Sequence, residues 1–331
     1  MKALVTGANG MLGQDLCPIL EDAGYEVVET DIKNLDITNE IQTLSVIKAE
    51  NPDLVVHCAA YTNVDKAEEE LEIASKINGL GTENVAKACA KTGAILVYIS
   101  TDYVFDGTKE TPYEPDDTPN PQNNYGLTKL QGENAVKKYC EKYYIARTSW
   151  LYGHHGKNFV ETMIALAGVK PDSARVDEAK RAELDDTAVT TDANADGVQQ
   201  SSIAQAEMIA LAGVKPDSAG VDEAKRAELK VVDDQVGCPT WTVELASGIL
   251  KLLKKPYGTS HICGSGYTSW YGFAREIFSQ YNLDVDLKSC TTEEFPRPAK
   301  RPRYSVMDNN KLCRNWKSAL SDYLTLRDEE V

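Results

Sequence analysis

An apolar strand from Ala3 to Thr6 runs into Gly7-Ala-Asn-Gly10-Met-Leu-Gly13 and then into a helical pattern, MLGQDLCPILEDAG. No other stretch of the 331-residue chain narrows its fold as far. Glycines at such a junction let the backbone turn sharply and approach a pyrophosphate. The helix N-terminus adds open N–H groups and the positive end of its dipole. The spacing is G-x-x-G-x-x-G rather than the commonest dinucleotide fingerprint, and glycine-rich turns after strands also arise for steric reasons alone. Context supports the binding reading. Gly24 stops the helix, the strand YEVVET follows, and Asp31 ends it, where an acid accepts from the ribose 2′-OH of NAD. A capping or loop Asp is the competing reading.

Strands and helices then alternate. DLVVHCAA (53–60) and AILVYIST (94–101) are continuous apolar runs of buried parallel-strand type, and YYIARTSW (143–150) reads as a further strand. Between them lie the helical stretches DKAEEELEIASKING and GTENVAKACAKTG. The pattern predicts an α/β fold, a Rossmann-like doubly wound parallel sheet with ligands at the carboxyl ends of its strands. Those ends read CAAYT, STDYVF and RTSWLYG.

Composition removes other classes. A net charge of −16 opposes non-specific binding to nucleic acid or an anionic membrane, so cations for a phosphorylated substrate must be local. The opening segment reads as a strand rather than a signal peptide, and no apolar run reaches the length of a membrane span. Eight scattered cysteines without a C-x-x-C read as buried reduced thiols of a cytoplasmic protein, not a disulfide framework or zinc site.

Tyr125 and Lys129 lie one helical turn apart, a pairing expected about once by chance in a chain of this composition. Thr101, at the end of the fourth strand, gives it meaning. A hydroxyl orients a carbonyl, a phenol supplies a proton, and an ammonium depresses the phenol's pKa. TGANGMLG, Asn78 in KINGLGT, and STD followed by Tyr125-x-x-x-Lys129 together resemble the extended short-chain dehydrogenase/reductase superfamily. TGANGMLGQDL, LDITN, CAAYTNVDKAEEE, YISTDYVFDG, YGLTKLQGE, RTSWLYG, NFVETM, VVDDQVGCPT and RPRYSV narrow this further. In that order they resemble the dTDP-4-dehydrorhamnose reductase family over nearly the whole chain except roughly 168–228.

That resemblance implies NADPH or NADH as cofactor and a dTDP-sugar as substrate, its 4-keto group reduced to give dTDP-L-rhamnose. It implies catalytic roles for Thr101, Tyr125 and Lys129. Gly7, Asn9, Gly10, Met11, Leu12 and Gly13 would face the pyrophosphate, with Asp31, Asp36 and Ile37 around the adenosine. Ala59, Ala60, Thr62 and Asn78 would lie near the nicotinamide half, beside Tyr125 and Lys129. On the substrate side it implies Thr101, Asp102, Tyr103, Trp150, Arg301 and Arg303. Trp150 reads equally as a core residue, and Arg301 and Arg303 as a solvated basic loop. His154-His155 reads as polar loop rather than metal site. Some members of the family are metal-assisted dimers using glutamates. The corresponding residue here is Asp15, so no metal is carried over, while a homodimer stays open.

The expected division is 1–167 for the dinucleotide, 168–228 as a mainly helical insertion, and 229–331 completing the sheet and forming a smaller C-terminal α/β substrate domain. In the insertion, Met163–Leu184 recurs as Met208–Leu229 with one change, Arg175 against Gly220. Such a repeat reads as a recent duplication or an engineered one, and as a mobile excursion or a contact with another chain. Asp192, Asn194 and Asp196 begin like a calcium loop, but Ile203 stands where its bidentate Glu belongs. Two other functions compete. Sugar dehydratases of the scaffold carry an acidic pair after the Thr, which Asp102-Tyr103 lacks, and epimerases share the site. A non-catalytic regulatory subunit of methionine adenosyltransferase also resembles this family.

Overall fold

The computed structural model describes residues 1–168 and 228–329. Its first elements are β1 (Lys2–Thr6), α1 (Met11–Asp22), β2 (Glu26–Thr30), α2 (Glu40–Glu50) and β3 (Leu54–His57). The helix expected over 65–79 is broken into α3 (Lys66–Glu69), α4 (Leu71–Ala74) and a π-helical turn, Ser75–Gly81. There follow α5 (Thr82–Thr92), β4 (Ile95–Thr101), α6 (Asn124–Tyr139), β5 (Tyr143–Thr148), β6 (Leu151–Tyr152) and α7 (Phe159–Leu166). After the undescribed segment come β7 (Leu229–Val232), β8 (Val236–Gly237), β9 (Thr240–Trp241), α8 (Thr242–Leu252), β10 (Gly258–His261), β11 (Thr268–Ser269), α9 (Trp270–Gln280), β12 (Leu287–Cys290) and α10 (Trp316–Glu329).

Six strands form one parallel sheet in the order β10-β5-β4-β3-β1-β2. The period of two in each strand builds a core on both faces. Ala3, Val5, Val56, Val97 and Ala146 meet α1 and α8 through Leu16, Leu20, Leu245 and Ile249. Leu4, Val55, Leu96 and Ile145 face the other way, onto Ile47, Val85, Cys89 and Val136 of α2, α5 and α6. Each such side chain, fully buried, stabilises the fold by about 1.5–3 kcal/mol. The doubly wound prediction holds. From β1 the chain moves outward to β2, then returns to place β3 on the other side of β1, so the switch point opens between β1 and β3.

A second core joins Trp150, Tyr152 and α7 to Leu229, Val231, Trp241, α9 and α10. Met163 and Ile164, before the repeat-bearing segment, therefore share one core with Leu229 and Val231 after it. The repeat and the Asp192–Gly197 pattern otherwise lie outside the described residues. The eight cysteines are free thiols, seven of them buried and Cys58 half-buried. Among the described residues no helix is long and apolar enough to cross a membrane.

Candidate functional site

A cavity of about 670 Å³ opens at the carboxyl ends of β1 to β5. Its dinucleotide end is built from Gly7, Asn9, Gly10, Met11, Leu12 and Gly13, with Asp31, Ala59, Ala60 and Thr62 around them. Gly7 has φ +67°, and a Cβ there would stand 2.7 Å from the Ala59 nitrogen. The turns after β1 and β3 can approach this closely only without a side chain. Helix α1 starts at Gly10 with no side-chain cap, which leaves its first N–H groups to the cavity. Asp31 directly follows β2 and accepts from the Asn9 nitrogen at 3.2 Å and the Ile32 nitrogen at 2.6 Å. This cradle, open donors over a glycine turn with an acid some twenty residues further along the chain folded back against it, fits a dinucleotide.

Beneath it, His57 is buried, its Nδ1 2.7 Å from the Thr6 hydroxyl and its Nε2 3.1 Å from that of Thr82. Burial, with the Lys129 charge, lowers it to about 3, so it is a neutral strut of the floor.

Thr101, Asp102, Tyr103, Tyr125 and Lys129 line the other end. Asn123 caps α6 by accepting from the Gly126 nitrogen at 2.8 Å, which sets Tyr125 in the first turn. A Cβ at Gly126 would fall 2.1 Å from the Tyr103 carbonyl oxygen, so glycine lets α6 lie against the end of β4. Tyr125 meets Tyr103 edge-on, with centroids 5.6 Å apart. One turn on, Lys129 donates from Nζ to the Ile99 carbonyl at 2.7 Å and stands 4.3 Å from the Tyr98 ring centroid.

The electrostatics differ from the expected tuning. Burial raises the Tyr125 phenol above its ordinary value, opposed in part by the neighbouring Thr101 side chain. Lys129 is lowered to about 7, again by burial. Desolvation of both groups, rather than the ammonium's pull on the phenol, dominates here.

The remaining expected residues divide. Trp150 lines the cavity with φ +49°, a rare conformation for a bulky residue, while its ring stacks on Trp270 at 3.5 Å. It is wall and core at once. Asp36 and Ile37 do not line the cavity. Asp36 accepts from the Thr38 nitrogen and hydroxyl, and Ile37 is buried in the α2–α5 core. Asn78 lies behind the wall. Its side chain exchanges hydrogen bonds with the backbone of Tyr61 and donates to the Thr128 hydroxyl, bracing the loop after β3 against α6. The π-helical turn carries Asn78 into that place, which is why a regular helix does not run through.

Arg301 and Arg303 are also off the wall. Arg301 is buried and ion-paired with Asp65, and Arg303 is exposed, 3.8 Å from Asp234. The basic side chains at the wall are instead those of Lys129 and Lys157, with the His155 imidazole beside them. The sequence reads His155 as a polar loop residue and gives Lys157 no role, because both reach the wall only through packing. Gly153 sits against Met11 and Asp15, and His155 lies 3.3 Å from Asp15. Asp15 also accepts from the Thr242 hydroxyl. His154 turns inward onto the Tyr323 ring. Among the described residues no group of three or more His, Cys, Asp or Glu is placed to hold a metal.

The family described as RmlD substrate binding domain matches residues 1–199 and 221–327. The chain belongs to that family. The RmlD-family chain is similar to the solved dTDP-4-dehydrorhamnose reductase of Clostridium acetobutylicum ATCC 824, at 42% identity. That comparison covers 99% of this chain and 100% of the other, with a TM-score of 0.80. It is similar also to the dTDP-4-dehydrorhamnose reductase of Bacillus anthracis str. Ames, solved in complex with NADP. The identity is 36%, the coverage 98% and 99%, and the TM-score 0.79. Another RmlD-like relative, the spore coat polysaccharide biosynthesis protein SpsK of Bacillus subtilis, is 36% identical over 332 residues, 98% of each chain.

Proposed function

We propose that the chain is an NAD(P)H-dependent oxidoreductase that reduces the 4-keto group of dTDP-4-dehydro-6-deoxy-L-mannose to dTDP-L-rhamnose. One observation carries the reading. A hydroxyl, a phenol and an ammonium share a cavity wall with a dinucleotide cradle, in a chain similar over its whole length to dTDP-4-dehydrorhamnose reductases. The bound nicotinamide supplies the hydride. The Thr101 hydroxyl orients the carbonyl, the Tyr125 Oη gives its proton to the carbonyl oxygen as negative charge develops there, and Lys129, when protonated, stabilises the phenolate left behind. The two transfers together add one hydride and one proton, converting C=O to CH–OH. Trp150 offers its ring to the sugar nucleotide, with Asp102 and Tyr103 beside the sugar. The three-part division of the chain at 167 and 229 belongs to this proposal, as does a homodimer.

Mixing the protein with NADPH and the dTDP-4-keto sugar tests it. Stoichiometric NADPH oxidation with formation of the 4-hydroxyl sugar is expected. An epimerase would give no net oxidation, and a regulatory subunit no turnover.

Cofactor choice turns on Asp31. Its carboxylate lines the cavity and repels a 2′-phosphate, whereas Lys33 two residues on offsets part of that charge. Both cofactors are expected to serve. Asp31→Ala should shift the NADPH/NADH ratio of kcat/KM toward NADPH by about tenfold, the effect of a single partly screened charge a few ångströms away. An unchanged ratio would place the carboxylate away from the ribose.

The insertion is proposed to stand apart from the chemistry. Segment 168–228, nearly all of it outside the described residues, carries 13 acids and 7 bases and no aromatic residue. Its flanks share one core, so a short loop is expected to join them. Replacing 168–228 with such a loop should leave KM for both substrates nearly unchanged. Folded protein with collapsed activity would put the segment at the substrate mouth instead.

A further inference from the structure

Asp102 is a carboxyl in an unusual place. It is 1% exposed at the end of β4, and its Oδ1 accepts from the Thr101 hydroxyl at 3.1 Å. The other oxygen, Oδ2, is buried with no hydrogen-bond partner. Ser305 faces the carboxyl from the C-terminal stretch, Tyr125 from α6, and Cys263 from the segment after β10. Burial holds that phenol and that thiol neutral, and the groups that favour the Asp102 carboxylate are hydroxyls and backbone N–H groups, none of them a cation.

The hydroxyl of Thr101 has one proton to give and two lone pairs to receive. One lone pair takes the Tyr103 N–H at 3.2 Å. While Asp102 is a carboxylate, the single proton goes to Oδ1, and Thr101 has nothing to offer a substrate carbonyl. The geometry resolves only if Asp102 carries a proton of its own. We propose that Asp102 works as a neutral carboxylic acid that donates to Thr101 Oγ1, so that the Thr101 proton points at the substrate carbonyl oxygen. Asp102 is then a positioning residue acting through Thr101, and the relay rests on the reductase reading above.

Three effects favour the neutral form. Burial raises the carboxyl to about 6, against the pull of the Ser305 and Thr101 hydroxyls. Anionic ligands entering the cavity raise it further. A carboxylate at this position would also raise the Tyr125 phenol and make it a poorer acid, an effect that protonation removes. Low-dielectric sites do hold carboxylic acids neutral so that they can donate hydrogen bonds.

Asp102→Asn, similar in shape and permanently neutral with an N–H to donate, tests the relay. In the wild type, kcat at saturating NADPH and keto sugar should fall with rising pH in two limbs, one from Asp102 and one from Lys129. The Asn variant should lose the Asp102 limb, keep the other, and retain most of the low-pH turnover. Two unchanged limbs, or a loss of about 100-fold at every pH, would overturn the proposal by showing that the carboxylate itself is required.

A stability measurement needs no turnover. The folded carboxyl binds its proton more tightly than the unfolded one, so the wild type loses stability as pH rises from about 3.8 to about 6. The difference in Tm between Asp102→Asn and wild type should therefore grow across that window. A flat difference would mean that Asp102 is ionised in the fold and that the relay is wrong. Absence of wild-type turnover beside a growing Tm difference would defeat the reductase reading alone.

Discussion

Tyr125→Phe should lower kcat for keto-sugar reduction by about 100-fold or more while leaving stability nearly intact. The ring packs edge-on against Tyr103 and touches Val64 and Ala299, and phenylalanine keeps all of that surface. What it removes is the phenol hydroxyl that α6 brings to the wall beside Thr101. Burial has already raised that phenol, so it is protonated at neutral pH and holds the proton that the alkoxide needs. KM for NADPH should change little, since the cradle of Gly7 to Gly13 is untouched. Steady-state kinetics with both substrates, beside a urea unfolding curve, checks the two halves separately. Near wild-type kcat would remove Tyr125 from the proton-transfer role. A large loss of stability would make the kinetic result uninterpretable as chemistry and is not expected.

Sequence carried the sheet and one end of the site further than the other. Strands β1, β3, β4 and β5 are apolar on both faces, so their runs are visible without any partner. Strand β10 is Gly-Thr-Ser-His, three of its four residues polar, and it is a strand through its register with Tyr144 to Arg147 of β5. Helix α2 is weakly amphipathic and escaped notice, although Asn39 caps its start by accepting from the Gln42 nitrogen. The glycine turn and the Thr101, Tyr125 and Lys129 positions were readable because their geometry is set within a few residues. Arg301 was not. Its partner Asp65 lies 236 residues away in sequence, and nothing local to KRPRYS indicates a buried ion pair rather than a cation turned to the cavity. Lys157 and His155 are the converse case, two loop residues brought to the wall by the packing of Gly153 on α1.

The largest stability effect is expected one turn beyond Lys129. Glu133 on α6 is fully buried and receives both Arg147 Nε and Nη2 at 2.8 Å, a two-pronged pair, with the Ser100 hydroxyl at 2.7 Å as a third donor. Ser100 and Arg147 are register partners on β4 and β5, so the carboxylate staples α6 to the sheet directly behind the proposed catalytic residues. Arg147 is 1% exposed and is held further by the Pro115 carbonyl and the Phe105 ring. Glu133→Ala leaves this guanidinium buried without its counter-charge and should cost about 3–5 kcal/mol of unfolding free energy. Replacing both partners with apolar residues, Glu133→Leu with Arg147→Met, should cost much less, because no charge is stranded. The pair holds the Glu133 carboxyl below its ordinary value, chiefly through Arg147 against the cost of burial. Its contribution is thus complete above the ordinary carboxylate range and is lost as pH falls through the depressed value. Urea unfolding of the single and double variants at neutral pH decides the matter. A single variant within 1 kcal/mol of wild type, on the order of an exposed pair, would show that water reaches Arg147 and that the staple does not hold the helix.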